Sequence, residues 1–147
     1  MKFTVETISG SSEEEVLIRC HNPEEPWVDA IHAVAAGETK IAGSADEKTY
    51  RLSLRDVYYF EVVDGASFLY CRSAVYSCRF RLYEFEELCR GSMFFRCSTS
   101  MVLNADKIEC VRPSLSGRFE ATLENGERVI ISRQYVSALK RLLGIGG

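Results

Sequence analysis

From residue 48 to residue 131, apolar side chains alternate with polar ones in short runs, and turn-forming residues break every run. A period of two describes a strand with one face buried and the other wet. Strands this short, joined by turns, can pair only antiparallel, because a parallel pair needs a crossover of a dozen residues or more. "KTYRLSL" sets Tyr50, Leu52 and Leu54 against polar neighbours, and "VYYFEVV" reads as a more buried strand. Asp64-Gly65 marks a turn, after which "SFLYCR" pairs with "AVYSCRFR". Further on, "KIECVR" and "RFEATL" flank a Pro-Ser-Leu-Ser-Gly loop, and "ENGE", with its Asn-Gly hairpin signal, joins "RFEATL" to "RVIIS". Two stretches switch to a helical period. Leu82, Phe85 and Leu88 mark a short helix ended near Gly91, and Ser132 is placed to cap a helix whose Val136, Leu139, Leu142 and Leu143 form a stripe up to Gly144. The expected class is α+β, mostly antiparallel β, over residues 46–147.

Residues 1–45 read differently. Phe3, Val5 and Ile8 suggest one strand and "EVLIRC" a second, followed by a helix over about 24–36 that Asn22 is placed to cap, with Trp27, Ile31 and Val34 on its apolar face, and that stops at Gly37. Such a β-β-α unit is too small to bury its own apolar face, so it is expected to dock on the domain that follows and to serve packing, dimerisation or partner control. The charge also divides here. Residues 1–45 hold three basic and eight acidic side chains, whereas residues 46–147 hold fifteen basic and thirteen acidic. The net charge of −3 therefore argues against a polyanionic partner only for the N-terminal third. No apolar run approaches the ~18 residues of a membrane span, and the opening "MKFTVETISGSSEEE" has no apolar signal region, so a cytoplasmic location is expected.

Catalysis finds little support. The only histidines are His21 and His32, which leaves the downstream hydroxyls and thiols without a nearby base in sequence. The glutamate runs at 13–15 and 84–87 read as solvated faces, and neither a P-loop nor a dinucleotide-binding glycine pattern occurs. The six cysteines contain no C-x-x-C pair, so neither a zinc site nor any other cofactor is expected, and most of them read as small core residues. The chain is not expected to be an enzyme.

"FFRCSTSMVLN", residues 94–104, stands out because it sets a charge and three hydroxyls between two strand-forming stretches. Together with "LENGERVIISRQYVSALKRL" it resembles the LytTR family of DNA-binding domains. The resemblance rests on Phe95-Arg96, then Ser98-Thr99-Ser100, Leu103-Asn104, Asn125-Gly126 and Ser132-Arg133-Gln134-Tyr135, with "RDVYYFEVVDG" and "LYEFEELC" in the corresponding earlier places. It spans about residues 48–143. It implies an elongated set of antiparallel sheets that presents loops, rather than a recognition helix, to successive major grooves of double-stranded DNA and bends it. The DNA-facing regions it implies are the turn from Asp64 to Ser67, the island Ser98-Thr99-Ser100 with Arg96 and Asn104 beside it, and Arg133-Gln134. It also implies a regulator of transcription. The chain looks too short for the receiver domain many relatives carry, which places it with the stand-alone type, where a homodimer and a regulatory partner protein are the expected associates and no small-molecule substrate is.

Physical chemistry leaves several of these roles open. Arg133 suits a bidentate contact to guanine, and it sits oddly at a helix N-terminus, which prefers anions. Arg96 suits a phosphate or an internal carboxylate, and Asn104 either a DNA contact or a turn that bonds the backbone. Ser98, Thr99 and Ser100 suit phosphates, base edges or plain solvent, and their short hydroxyls favour DNA bending and phosphate contacts over base readout. Cys97 reads as a packed thiol or a redox switch. A protein-interaction or ligand-sensing module on the same fold is the alternative function. A DNA reader should gather Arg72, Arg96, Arg118 and Arg133 on one face, and such a module should scatter them.

Overall fold

Short turns hold consecutive strands antiparallel in the computed structural model, which describes residues 1–12, 14–35 and 39–146. Among these residues the strands are β1 (Lys40–Ala45), β2 (Lys48–Ser53), β3 (Tyr59–Val63), β4 (Ala66–Tyr70), β5 (Val75–Cys78), β6 (Phe94–Arg96), β7 (Met101–Asn104), β8 (Ile108–Pro113), β9 (Phe119–Leu123) and β10 (Arg128–Ile131). The helices are α1 (Pro26–Ala35), α2 (Leu82–Leu88) and α3 (Val136–Leu143). The first seven strands form one sheet in the order β2-β1-β5-β4-β3-β7-β6, and the last three form a second in the order β10-β9-β8.

The turn chemistry explains the register. Asp64 and Gly65 both take positive φ, 51° and 78°, as a tight two-residue hairpin requires, and they align Val63 with Ala66. Between β9 and β10, Asn125 Oδ1 accepts from Glu127 N at 3.1 Å while its amide donates to Arg72 O at 3.0 Å, which ties the second sheet to a loop of the first. The β1–β2 hairpin turns through Asp46 and Glu47, both at positive φ without being glycine. That turn carries no Gly or Asn signal, and four of the six residues of β1, "KIAGSA", are small, so its strand is not legible from the sequence. Gly43 is required there: a Cβ would lie 2.8 Å from the Tyr76 Cβ and 2.9 Å from Leu52 Cδ1. The expected boundary at 45/46 falls at this turn, and β1 pairs with β2 and β5 of the sheet.

The two N-terminal strands do not form. Residues 1–9 and 14–20 are in no strand, and Phe3, Val5, Val16 and Leu17 are 89%, 77%, 68% and 74% exposed. Alternation is a necessary condition for a strand and not a sufficient one; without a neighbour to share the backbone hydrogen bonds, these residues stay open to solvent. The helix does form, with Trp27 and Ile31 half-buried and Asp29 against Gly91. The Val34 side chain and Gly37 lie outside the described residues.

Alternation along β7 splits the core in two. Val102 joins Phe60, Leu69 and Val57 under Phe85 and Cys89 of the α2 region, while Leu103 joins Phe95, Cys97 and Tyr58 under Ala121, Leu123, Ile131 and Leu139. The large sheet is thus covered by α2 on one face and, near β7 and β6, by the small sheet and α3 on the other. Leu88, expected on the α2 stripe, is 41% exposed; Cys89, four residues after Phe85, takes the buried place. In α3, Leu139 is buried, with Val136, Leu142 and Leu143 packed around it, and Gly144 ends the helix at φ 67°.

Candidate nucleic-acid interface

The polar island is built by Arg96. Register pairs Arg96 with Val102, so residues 97–101 must cross from β6 to β7. The Arg96 guanidinium holds that crossing: Nε donates to Ser98 O at 2.8 Å, Nη2 to Thr99 O at 2.8 Å, and Nη1 to Glu86 Oε1 at 3.2 Å. Of the two partners open to Arg96, phosphate or internal carboxylate, the structure presents the carboxylate, supplied by α2, together with two backbone carbonyls. Inside the crossing, Ser98 Oγ accepts from Ser100 N at 3.2 Å, and Thr99 is exposed at the tip.

Backbone hydrogen bonds string the expected loops into a row. Ser67 pairs with Val62 across β4 and β3, Val62 N donates to Ser100 O at 2.9 Å, and Ser132 N donates to Cys97 O at 2.9 Å. The structure therefore brings Ser67, the island and the 132–134 segment to adjoining places, although they are far apart in sequence. Ser67 is half-buried, and its hydroxyl donates to Phe80 O at 2.6 Å.

Arg133 and Gln134 are exposed in a 3-10 turn, Arg133–Tyr135, that leads into α3. Ser132 precedes this turn but makes no side-chain cap bond, so it does not cap the helix as expected. The Arg133 side chain lies along Gly117, where a Cβ would sit 2.9 Å from Arg133 Cδ. Ser116 and Gly117, at φ 59° and 76°, fold the loop before Arg118 toward it. Ser116, Arg118, Ser132, Arg133 and Gln134 line one open cleft of about 340 Å³. Among the described residues neither Arg118 nor Arg133 has an ion-pair partner. Ser116 was missed at the sequence level because its loop carried only a turn signal.

Asn104 is a correction. It is 3% exposed, its Nδ2 donates to Val57 O at 3.0 Å and its Oδ1 accepts from Asp106 N at 3.1 Å. Of its two readings the structure presents the turn: both polar ends are consumed inside, and a DNA contact would require pulling a buried amide into solvent. The four arginines divide as well. Arg118 and Arg133 share a cleft, Arg96 is turned inward, and Arg72, beyond the far end of β4, reaches Tyr58 Oη at 3.4 Å.

The electrostatics of the buried groups are structural. Burial pushes the Cys97 thiol up to about 12, and the nearby Glu61 charge adds to the effect, so at neutral pH it stays protonated and a poor nucleophile. That favours the packed thiol over the redox switch. Tyr59, raised by burial and by its hydrogen bond to Glu127, stays neutral and stacks on Tyr70 at 4.2 Å. Among the described residues no group of three or more His, Cys, Asp or Glu side chains could hold a metal, and no helix is long and apolar enough to cross a membrane.

Comparison with known proteins points the same way. A family model described as the LytTr DNA-binding domain matches residues 47–144. The sensory transduction protein LytT of Enterococcus faecalis is 26% identical over 100 residues, which are 68% of this chain and 41% of that protein. The transcriptional regulatory protein YpdB of Escherichia coli K12 is 28% identical over 99 residues, 67% of this chain and 41% of that one. The chain thus spans under half the length of these curated relatives. Among solved structures, the LytTr DNA-binding domain of a Bacillus cereus protein superposes with a TM-score of 0.68 at 27% identity, covering 74% of this chain and all of that domain.

Proposed function

Because this chain belongs to the LytTr DNA-binding domain family, we propose that it is a cytoplasmic regulator of transcription that binds double-stranded DNA through loops set in the major groove and bends it. The observation that carries this reading is the cleft where two guanidiniums without an ion-pair partner among the described residues, Arg118 and Arg133, stand beside the Ser98-Thr99-Ser100 island. Arg133 reads guanine and Gln134 an adjacent base edge, while Arg118 and the hydroxyls of Thr99 and Ser100 take phosphates. Ser67 offers only an acceptor, since its proton is given to Phe80 O. Arg96 acts as a positioning residue that shapes the island from behind. The acidic N-terminal segment, which repels DNA, is assigned to dimerisation or to control by a partner protein.

The test is selection of duplexes from a random pool by the purified chain, followed by titration with salt. The expected result is an enriched site and an affinity that falls steeply as salt rises. A pool from which nothing is retained at low salt would sink the reading and favour the protein-interaction or ligand-sensing module, with which the separation of Arg72 and Arg96 from the Arg118–Arg133 cleft is consistent.

A smaller effect is expected at the first turn. Asp64 puts a carboxylate on the loop assigned to DNA, at a positive φ that asparagine adopts readily. Asp64→Asn should keep the hairpin, leave the melting temperature unchanged, and raise duplex affinity about two- to fourfold at low salt, as expected for removing one like charge near the backbone. An affinity that does not rise would place this turn away from the phosphates.

A further inference from the structure

The turn assigned to the first DNA contact lacks a cation of its own, and the fold puts one next to it from a different strand. Ser67 pairs with Cys78, and Ser67 Oγ is bonded to Phe80 O, so residues 78–80 are fastened to the Asp64–Ser67 end of the sheet. Cys78 and Phe80 both pack into the core beneath α2, whereas Arg79 between them is exposed. Arg79 follows directly on the last residue of β5, so its exposed side chain leaves the sheet at the same end as the Asp64–Ser67 turn and the island. Among the described residues Arg79 has no hydrogen-bond or ion-pair partner.

Resting on the DNA-binding reading above, we propose that Arg79 is a further DNA-contacting residue, a backbone-phosphate anchor that supplies the charge the Asp64–Ser67 turn does not carry. Strand order places the β5 end three strand spacings from the line of β7, roughly 15 Å from the island. That span is comparable to the ~12 Å width of the major groove, so with the island seated in the groove Arg79 lies over the bordering backbone. A guanidinium there fixes how the domain sits on the duplex without reading sequence. No sequence motif marks it, because Arg79 reaches the site through β-pairing and not through any loop signal.

The experiment compares the full chain with Arg79→Ala, Arg79→Lys and Arg133→Ala on the selected site and on an unrelated duplex. Loss of one phosphate contact should make the slope of log affinity against log salt shallower by about 0.9, so the deficit of Arg79→Ala shrinks about 3.5-fold between 50 and 200 mM salt. The deficit should be equal on both duplexes, and Arg79→Lys should retain the parental slope. An unchanged slope in Arg79→Ala beside a weakened Arg133→Ala overturns the anchor and leaves the DNA reading standing. A deficit confined to the selected site also overturns it, since that is the mark of base contact. If the parental chain retains neither duplex, the DNA reading falls and the anchor falls with it.

Discussion

Replacing Arg133 by alanine should weaken binding to the selected duplex by roughly 5- to 150-fold, the ~1–3 kcal/mol carried by one bidentate contact to a base. The geometry behind this number is specific. Arg133 is exposed, has no ion-pair partner among the described residues, and is braced along Gly117, where a Cβ would come within 2.9 Å of its Cδ. A braced guanidinium loses less conformational freedom on binding than one that swings freely. The substitution removes an exposed side chain and no core contact, so the melting temperature should hold to within a degree or two. Arg133→Lys supplies the decisive contrast: it keeps the charge and the salt slope but loses the fork, so discrimination between guanine and other bases at one position should relax. If Arg133→Lys discriminates as well as the parental chain, the contact is to phosphate and the assignment of base readout is wrong. Gly117→Ala should mimic part of the loss, since the new methyl group displaces the Arg133 side chain.

How much of this was legible beforehand depended on whether the signal was local. The turns at Asp64-Gly65 and Asn125-Gly126 announce themselves through residue types that tolerate positive φ, and the strands they join follow by alternation. The hairpin through Asp46-Glu47 adopts the same strained backbone with a glutamate where those turns carry glycine, and the pairing of β1 with β2 and β5 holds it there. The N-terminal alternation failed for the converse reason: a correct local period with no strand beside it. At the candidate site, Arg133 could be singled out from its odd position at a helix start. Arg96, Asn104 and Ser67 could be named but not oriented, because whether a polar side chain faces in or out is decided by partners 10, 47 and 13 residues away, Glu86, Val57 and Phe80. Ser116 reaches the cleft through tertiary packing alone.

Arg96→Ala should produce the other large effect, through a residue whose guanidinium is bonded inside the protein. The guanidinium satisfies the carbonyls of Ser98 and Thr99 and the Glu86 carboxylate together, and only about a quarter of its side chain is exposed. Charge-assisted bonds of this kind are worth about 1.5–3 kcal/mol each when partly buried, but water reaches the freed groups, so the net loss of stability should be about 2–3 kcal/mol. A fall in Tm on the order of 10 °C corresponds to that loss in a domain of this size. Duplex affinity, measured below the melting transition, should fall at least as far as in Arg133→Ala, because the island loses its shape and Cys97 O, which anchors Ser132 N, sits at its base. Arg96→Lys separates this account from a direct phosphate contact. A lysine on a phosphate would recover most of the affinity, whereas a single ammonium cannot span two carbonyls and a carboxylate, so here it should recover little. Glu86→Gln should cost less than either, since it leaves both carbonyl bonds in place. Full binding by Arg96→Lys would move Arg96 from the scaffold to the interface, and the island's shape would then need another explanation.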